Sequence, residues 1–488
     1  MWLVRKSEEF IVAKKPGNSG GAKGFCRIDA DSEREEDRLE TITKTLETPL
    51  NQWGLSDSLS LLRTKLFHKA KEEPTFKFYS LFSLVTRQDT FEGAWKRVKA
   101  NKGAPGVDGI DFKDIEKQEG GVLGFLDNLR KEIVDKTYKP QPVKRVHIPK
   151  PDGKKRPLGI PTIRDRVAQQ AVLLIIEPIF EADFLDSSYG FRPNRSAHDA
   201  VEKIQSHLKS GKRVVYDADL KGYFDTIPHD NLIKALRRRI VDGSVLRLVK
   251  LWLKSIVVEK DDKGKKRMSR PKMGTPQGGV ISPLLANIYL HYFEKYFESF
   301  TERGKRFKAS IVRYADDFVI LMSEAMPELI ARMEEILEGR FKLTINRDKT
   351  KFVDLKKVGE TLNFLGYSFR YENSRKYNTP CLSITASKKS VKIVRQKIGG
   401  ILDYRNTFKP LNEIISQLNR LLTGWCNYYS LGYKKKVYST VNFYVDYKFW
   451  KFCTRKSQRK MKLPESSKSW HEFAMSNGLN FLRYGSSL

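Results

Sequence analysis

The chain has 488 residues, 91 Lys and Arg against 58 Asp and Glu, a formal charge of +33, and 40% hydrophobic residues. That length supplies cores for roughly two to four structural units, and a field of that sign calls for a polyanionic partner, nucleic acid before membrane. The best apolar run, Ala171 to Phe180, is broken by Glu177 and Pro178 and falls short of a bilayer span. Four scattered cysteines, Cys26, Cys381, Cys426 and Cys453, form no CxxC pair, which argues against a zinc site or a disulfide framework and fits a reducing, cytoplasmic setting. The first residues, Trp2 to Arg5 with charge close behind, do not read as a secretory signal.

In chain order, residues 1–55 read as a flexible tail, with a Gly/Ser-rich stretch from Lys14 to Lys23 and an acid-dense one from Asp29 to Glu40. Residues 56–143 read as a mostly helical extension, with Phe91, Trp95 and Val98 on one helix face. Its loop Asn101 to Gly109 lacks the Lys-Ser/Thr ending of a P-loop, which excludes nucleoside-triphosphatase chemistry. Lys144 to Pro161 reads as a β-hairpin turning at Pro151-Asp152-Gly153. Lys150, Lys154, Lys155 and Arg156 crowd that tip. Charge runs are usually solvated faces, and at a hairpin tip they also suit gripping phosphates. After an apolar helix from Arg164 to Phe184, the loop YGFRPNRSAH sets Arg192 and Arg195 beside Tyr189 and Phe191. Such interleaving suits single-stranded nucleic acid; a capped turn into the helix from Ser196 is the bland alternative.

Acidic residues then concentrate. In RVVYDADLKGYFD, Val215, Asp217 and Asp219 share one strand face, and a carboxylate closing a buried strand is costly unless paired or bound to metal. Asp225 is expected to cap the helix running through Ile240. Met273 to Leu290 holds a glycine-rich turn around Gln277 and a helix start at Ser282-Pro283. Lys308 to Met322 reads as a hairpin whose break, Tyr314 to Asp317, sets two carboxylates side by side. A divalent cation would offset their repulsion, although on that stretch alone ordinary turn chemistry explains the pair equally well. An amphipathic helix from Glu324 to Phe341 follows, then the basic loop LTINRDKTK with Lys349, and a strand pair from Leu362 to Phe369 bent at Gly366. From residue 386 onward, 20 Lys and Arg face 5 Asp and Glu. Leu411 to Trp425 carries helix periodicity. Residues 386–460 read as a helical RNA-facing domain and 461–488 as a basic tail.

Asp219 and Asp316-Asp317 together suit two Mg²⁺ ions, with Mn²⁺ as a substitute, because Mg²⁺ prefers a few carboxylates plus substrate phosphates. The ordered stretches RPLGIP, YGFRPNRSAHDAV, DADLKGYFD, GTPQGGVISPLLANIYL, YADD, LTINRDKTK and LNFLGYSF resemble the reverse transcriptase encoded by mobile group II introns. LNRLLTGWCNYY resembles the maturase, or thumb, domain that follows it in that family. The resemblance implies an α+β fold: a right-hand polymerase, with fingers and an antiparallel palm over 144–385, followed by a helical thumb.

It also implies roles. Asp219, Asp316, Asp317 and the Leu220 carbonyl would hold metal; Lys154, Lys155 and Arg156 would grip the triphosphate. Phe224 would exclude a 2′-OH and Gln277 would lie beside the sugar and template base. Lys349 would protonate pyrophosphate. Phe364, Gly366 and Tyr367 match the primer grip, Arg192 and Arg195 are expected on template or primer, and Asn101 to Gly109 near the template. Arg420, Trp425, Tyr428, Lys434, Lys435 and Lys436 are expected to bind RNA. The implied reaction is attack of a primer 3′-OH on a dNTP α-phosphate, with intron RNA, RNA template and DNA primer or target as partners, no membrane, and a homodimer allowed. Splicing assistance and retromobility follow by the same resemblance. The paired cysteines and histidines of the family's C-terminal endonuclease have no counterpart near the end, so none is expected. A relative recruited to phage defence or repair, and a splicing-only maturase, stand as alternatives.

Overall fold

A computed structural model describes residues 54–149, 155–260, 266–301, 307–373, 379–456 and 462–483. The expected N-terminal tail, apart from residues 54 and 55, and the hairpin tip with Lys154 lie outside the described residues. The chain enters its first helix at Ser56, whose hydroxyl accepts from the Leu59 N–H. Helices α1 (Asp57–Glu72), α2 (Phe82–Val85), α3 (Gln88–Ala100), α4 (Phe112–Lys117) and α5 (Gly121–Val134) form the expected helical extension. Strands β1 (Val143–Pro149) and β2 (Lys155–Ile160) pair as the predicted antiparallel hairpin, Val146 opposite Leu158. Helix α6 (Ile163–Glu181) starts under a Thr162 cap. Its Val167, Val172, Ile175, Ile176 and Ile179 are fully buried, so it is the post against which the extension packs.

Next come α7 (Ala197–Lys209), opened by a Ser196/Asp199 capping box, β3 (Val214–Ala218), α8 (Tyr223–Thr226), α9 (His229–Leu236) and α10 (Gly243–Leu253). Strands β4 (Val257–Lys260) and β5 (Lys266–Ser269) extend the first hairpin into a sheet ordered β2-β1-β4-β5, with β1 and β4 parallel. Helix α11 (Ser282–Thr301) precedes β6 (Ala309–Tyr314) and β7 (Asp317–Met322). Helix α12 (Pro327–Glu335) continues as a π turn over Ile336–Arg340 and leads to β8 (Lys351–Asp354). These strands form the palm sheet, ordered β6-β7-β3-β8 and antiparallel throughout. Val214, Val215, Val319, Ile320 and Leu321 are buried, as strands covered on both faces require.

A third sheet, β11-β10-β9, joins β9 (Leu362–Phe364), β10 (Tyr367–Asn373) and β11 (Pro380–Ala386). Helices α13 (Lys388–Ile401), α14 (Leu411–Tyr428), α15 (Lys435–Thr454) and α16 (Trp470–Ser476) close over their own core of Val394, Ile398, Leu418, Leu422, Val445 and Phe449. The expected basic tail 461–488 is corrected here. Ala474, Leu479 and Leu482 are buried in that core, and the Asn442 side chain bonds the Leu482 backbone through both its amide atoms. Residues 461–488 hold three basic and two acidic side chains, so their apolar residues outweigh their charge.

Candidate active site

The end of β3 fixes the first carboxylate. Beyond Ala218 the backbone runs antiparallel to residues 344–346: Asn346 N–H donates to the Asp219 carbonyl at 2.8 Å and Lys221 N–H to the Thr344 carbonyl at 2.8 Å. The Leu220 carbonyl takes no part in that pairing. The Asp219 carboxylate accepts from Asn346 Nδ2 at 2.8 Å and faces Lys349 Nζ at 3.3 Å. Asn346, absent from the expected set, is therefore a positioning residue for Asp219; only its place in the basic loop hinted at it.

The β6–β7 hairpin brings the other two carboxylates. Its last pair is Tyr314 with Asp317, and the turn needs Ala315 in the left-handed region at φ +59°. Because β7 pairs with β3 through Phe318 opposite Ala218, the Asp316-Asp317 turn stands next to Asp219. Burial, followed by the charges of Asp316, Asp219 and Asp217, pushes the Asp317 carboxyl up to about 7. Repulsion among these carboxylates adds to burial in that rise. Asp316 is also raised by burial, opposed by Arg156. Asp217, one residue pair deeper beside Lys351, is raised by burial to about 6. Among the described residues, no three His, Cys, Asp or Glu side chains stand in ready-made coordination geometry. Asp219 is held instead by Asn346 and Lys349. The donor set nonetheless suits a hard cation: all oxygen, with mutually repelling carboxylates at one strand end.

The glycine-rich turn builds the wall facing these carboxylates. Thr275 N–H donates to the Phe224 carbonyl at 2.6 Å, Gly274 N–H to the Ile227 carbonyl at 2.7 Å, and Gly159 N–H to the Gln277 carbonyl at 2.5 Å. At Gly274, φ +87°, a Cβ would lie 2.7 Å from the Asp225 backbone. The turn thus ties α8 to β2, bringing Phe224, Gln277 and the Arg156 strand to one side. Asp225 does not cap a long helix. It sits within α8 and accepts from Gln277 Nε2 at 2.9 Å, while α9 begins at His229 with no side-chain cap. Lys155 and Arg156 are exposed on β2, and the Arg156 charge reaches both Asp316 and Asp225. Phe224 meets Phe191 edge-on, ring centroids 6.5 Å apart; Phe191 is 56% exposed.

Several expected contacts are corrected. Arg192 is buried, donating to Glu181 and to the Leu185 and Ser188 carbonyls, so it is a structural clamp rather than a nucleic-acid contact. Arg195 pairs with Asp186 at 2.5 Å and covers the Tyr189 ring. Phe364 and Tyr367 are buried, the Tyr367 hydroxyl bonding the Tyr428 carbonyl, so their side chains cannot grip a primer. Gly366, φ +79°, lies so close to Tyr429 that a Cβ would meet its hydroxyl at 2.5 Å. Tyr428 donates to the Leu365 carbonyl at 2.9 Å, and half-buried Trp425 meets Tyr429 at a 44° tilt, ring centroids 4.8 Å apart. Tyr428 and Tyr429 thus reach the strand pair at Gly366, whereas Trp425 packs against Tyr429 and Tyr438 within the helical unit, and Tyr428 keeps 37% exposure. Arg420, Lys435 and Lys436 are exposed and Lys434 is half-buried.

One element of the site went unread in the sequence. Arg313, just before the Asp316-Asp317 turn, forms an ion pair with Glu294 at 2.7 Å, both side chains fully buried. Its other guanidinium nitrogen donates to the Ala315 carbonyl at 2.9 Å and to Asn287 at 2.8 Å, and Asn287 donates to the Gly190 carbonyl at 2.7 Å. Asn287 and Glu294, two turns apart on one face of α11, were the available signal.

A palm sheet presenting three carboxylates at adjacent strand ends defines a polymerase. Residues 148–369 match the family model "Reverse transcriptase (RNA-dependent DNA polymerase)", and residues 391–470 match "Group II intron, maturase-specific domain". Protein YkfC of Escherichia coli is 37% identical, over 65% of this chain and 90% of its own. The group II intron-encoded protein LtrA of Lactococcus lactis is 29% identical, over 73% of this chain and 71% of its own. A telomerase structure from Candida albicans overlaps 70% of this chain and 63% of its own at 17% identity with a TM-score of 0.39, too loose to argue from. The chain belongs to the group II intron family of reverse transcriptases with a maturase domain. Among the described residues, no helix is long and apolar enough to cross a membrane.

Proposed function

We propose that this protein copies intron RNA into DNA from a primer 3′-OH and dNTPs, and also binds that RNA to assist its splicing and retromobility in the cytoplasm. The observation that carries the reading is the convergence of Asp219, Asp316 and Asp317 at adjoining ends of the two central palm strands, where their charges oppose each other. These carboxylates, with the Leu220 carbonyl, would hold two Mg²⁺ ions. When bound, the ions would lower the pKa of the primer hydroxyl and neutralise triphosphate charge. Arg156 and Lys155, and Lys154 beyond the described residues, bind the triphosphate. Phe224 forms the floor under the sugar and leaves no room for a 2′-OH. Gln277, its amide fixed by Asp225, orients against the sugar and template base. Lys349 Nζ carries the proton for departing pyrophosphate and, before substrate enters, rests against Asp219.

Primer extension on an RNA template with Mg²⁺ and dNTPs tests the site. The Asp316→Ala protein is expected to lose extension by about three orders of magnitude or more, as removal of a reacting-centre group does, with RNA affinity unchanged. Normal extension by that variant overturns the assignment. Absence of extension by the parent, with RNA binding intact, overturns the polymerase reading in favour of a splicing-only RNA-binding protein.

A further inference from the structure

Helix α15 has two faces. Tyr438, Val441, Val445, Phe449 and Phe452 are buried against the maturase core. The opposite face presents Phe443 at 75%, Tyr447 at 41% and Trp450 at 41% exposure. Their spacing of four and three residues puts the rings on one line, about 10 Å long. Tyr447 and Trp450 have ring centroids 6.1 Å apart, and Lys451 Nζ lies 4.4 Å over the Tyr447 ring. Lys436 and Thr440 continue the line toward the helix start. The sole acid in α15, Asp446, flanks this line, and its carboxylate is taken up by His471 of α16 at 2.9 Å.

An exposed row of large aromatics marks an interaction surface, and the charge around it selects the partner. Lys436 and Lys451, beside the rings, repel a basic protein and favour a polyanion. An acidic protein would satisfy the lysines but would leave three ring faces on ion-pairing side chains. Paired nucleic acid would offer phosphates while hiding its base faces. Only unpaired bases present both a π face for each ring and a phosphate for each lysine. We infer that the outer face of α15, centred on Phe443, Tyr447 and Trp450, is a stacking platform for unpaired bases of single-stranded RNA. The inference deepens the proposed maturase role and rests on it. It adds the outer face of the next helix to the RNA contact expected at α14.

The test uses the full-length protein, a mixed-sequence single-stranded RNA oligonucleotide and the same sequence as a duplex, with affinities measured across a salt series. Phe443→Ala, Tyr447→Ala and Trp450→Ala are each expected to weaken single-strand binding about fivefold or more, with the salt slope unchanged, since stacking releases no counterions. Lys451→Ala is expected to reduce that slope by about 0.7. Trp450→Phe keeps a ring and is expected to retain affinity. These positions lie on the solvent face, so the variants keep their core. Aromatic variants that bind as the parent does overturn the platform, as do equal losses on duplex. A parent dimer that the triple aromatic variant turns into a monomer with unchanged RNA affinity also overturns it, assigning the face to a second copy. A parent that fails to bind single-stranded RNA removes the maturase reading itself, an outcome visible before any variant is made.

Discussion

At the scale of single residues, the carboxylate cluster stores repulsion in the metal-free protein. The folded pKa of Asp317, about 7, lies above the ordinary 3.8. The unfolded chain therefore gives up this proton first as pH rises, and the group removes stability progressively between about pH 4 and pH 7. Asp317→Asn ends that contribution. The variant is expected to melt about 1–2 °C higher than the parent at pH 8 without divalent cations, with the difference vanishing near pH 4. Added Mg²⁺ should stabilise the parent and not the variant. Thermal melts at the two pH values, with and without Mg²⁺, check both parts; a variant less stable than the parent at pH 8 contradicts the repulsion. Function here opposes stability, as at other sites that gather like charges.

At the scale of elements, the Asp316-Asp317 turn is held from behind by a buried ion pair. Arg313 of β6 and Glu294 of α11 both lack exposure, and through Asn287 and Ser188 they tie the strand to the loop before Phe191. Glu294→Ala leaves a guanidinium buried without its counter-charge, at a cost of about 3–5 kcal/mol. Chemical denaturation should show that loss, and Glu294→Gln, which keeps a hydrogen-bond acceptor, should lose less. The sequence announced β6, β7 and the adjacent carboxylates because β-branched, aromatic and aliphatic runs flanking Asp-Asp are local signals. It did not announce this pair, whose partners are 19 residues apart and met only through tertiary packing. The same limit explains Arg192 and Tyr367. Composition showed arginine among aromatics and could not show which side faced the core. Burial reassigned both to structure, whereas Asp219, Gln277 and Arg156, read from turns and strand ends, lie together in the fold.

Across the whole molecule, the joint between palm and maturase sets side-chain donors and aromatic rings against backbone carbonyls. The Tyr428 carbonyl accepts from the Tyr367 hydroxyl and, at 2.6 Å, from His198 Nε2, which must carry the hydrogen because a carbonyl can only accept. On the other side Tyr433 N–H donates to the Ile384 carbonyl at 2.8 Å. Between these contacts sits Gly432, at φ +74°, with its α-carbon so close to Ile384 that a methyl would overlap the carbonyl oxygen. Gly432→Ala adds left-handed strain of about 1–3 kcal/mol and forces the α14–α15 connection off β11. The helical unit keeps its own core, so the damage falls on the joint. Calorimetry of the variant should show the maturase unit melting apart from the palm, and primer extension should shorten because the RNA held by one unit no longer tracks the site in the other. A variant that melts in one step at the parent temperature would mean that β11 yields at little cost and that the two units are coupled through the aromatic contacts of α14 alone.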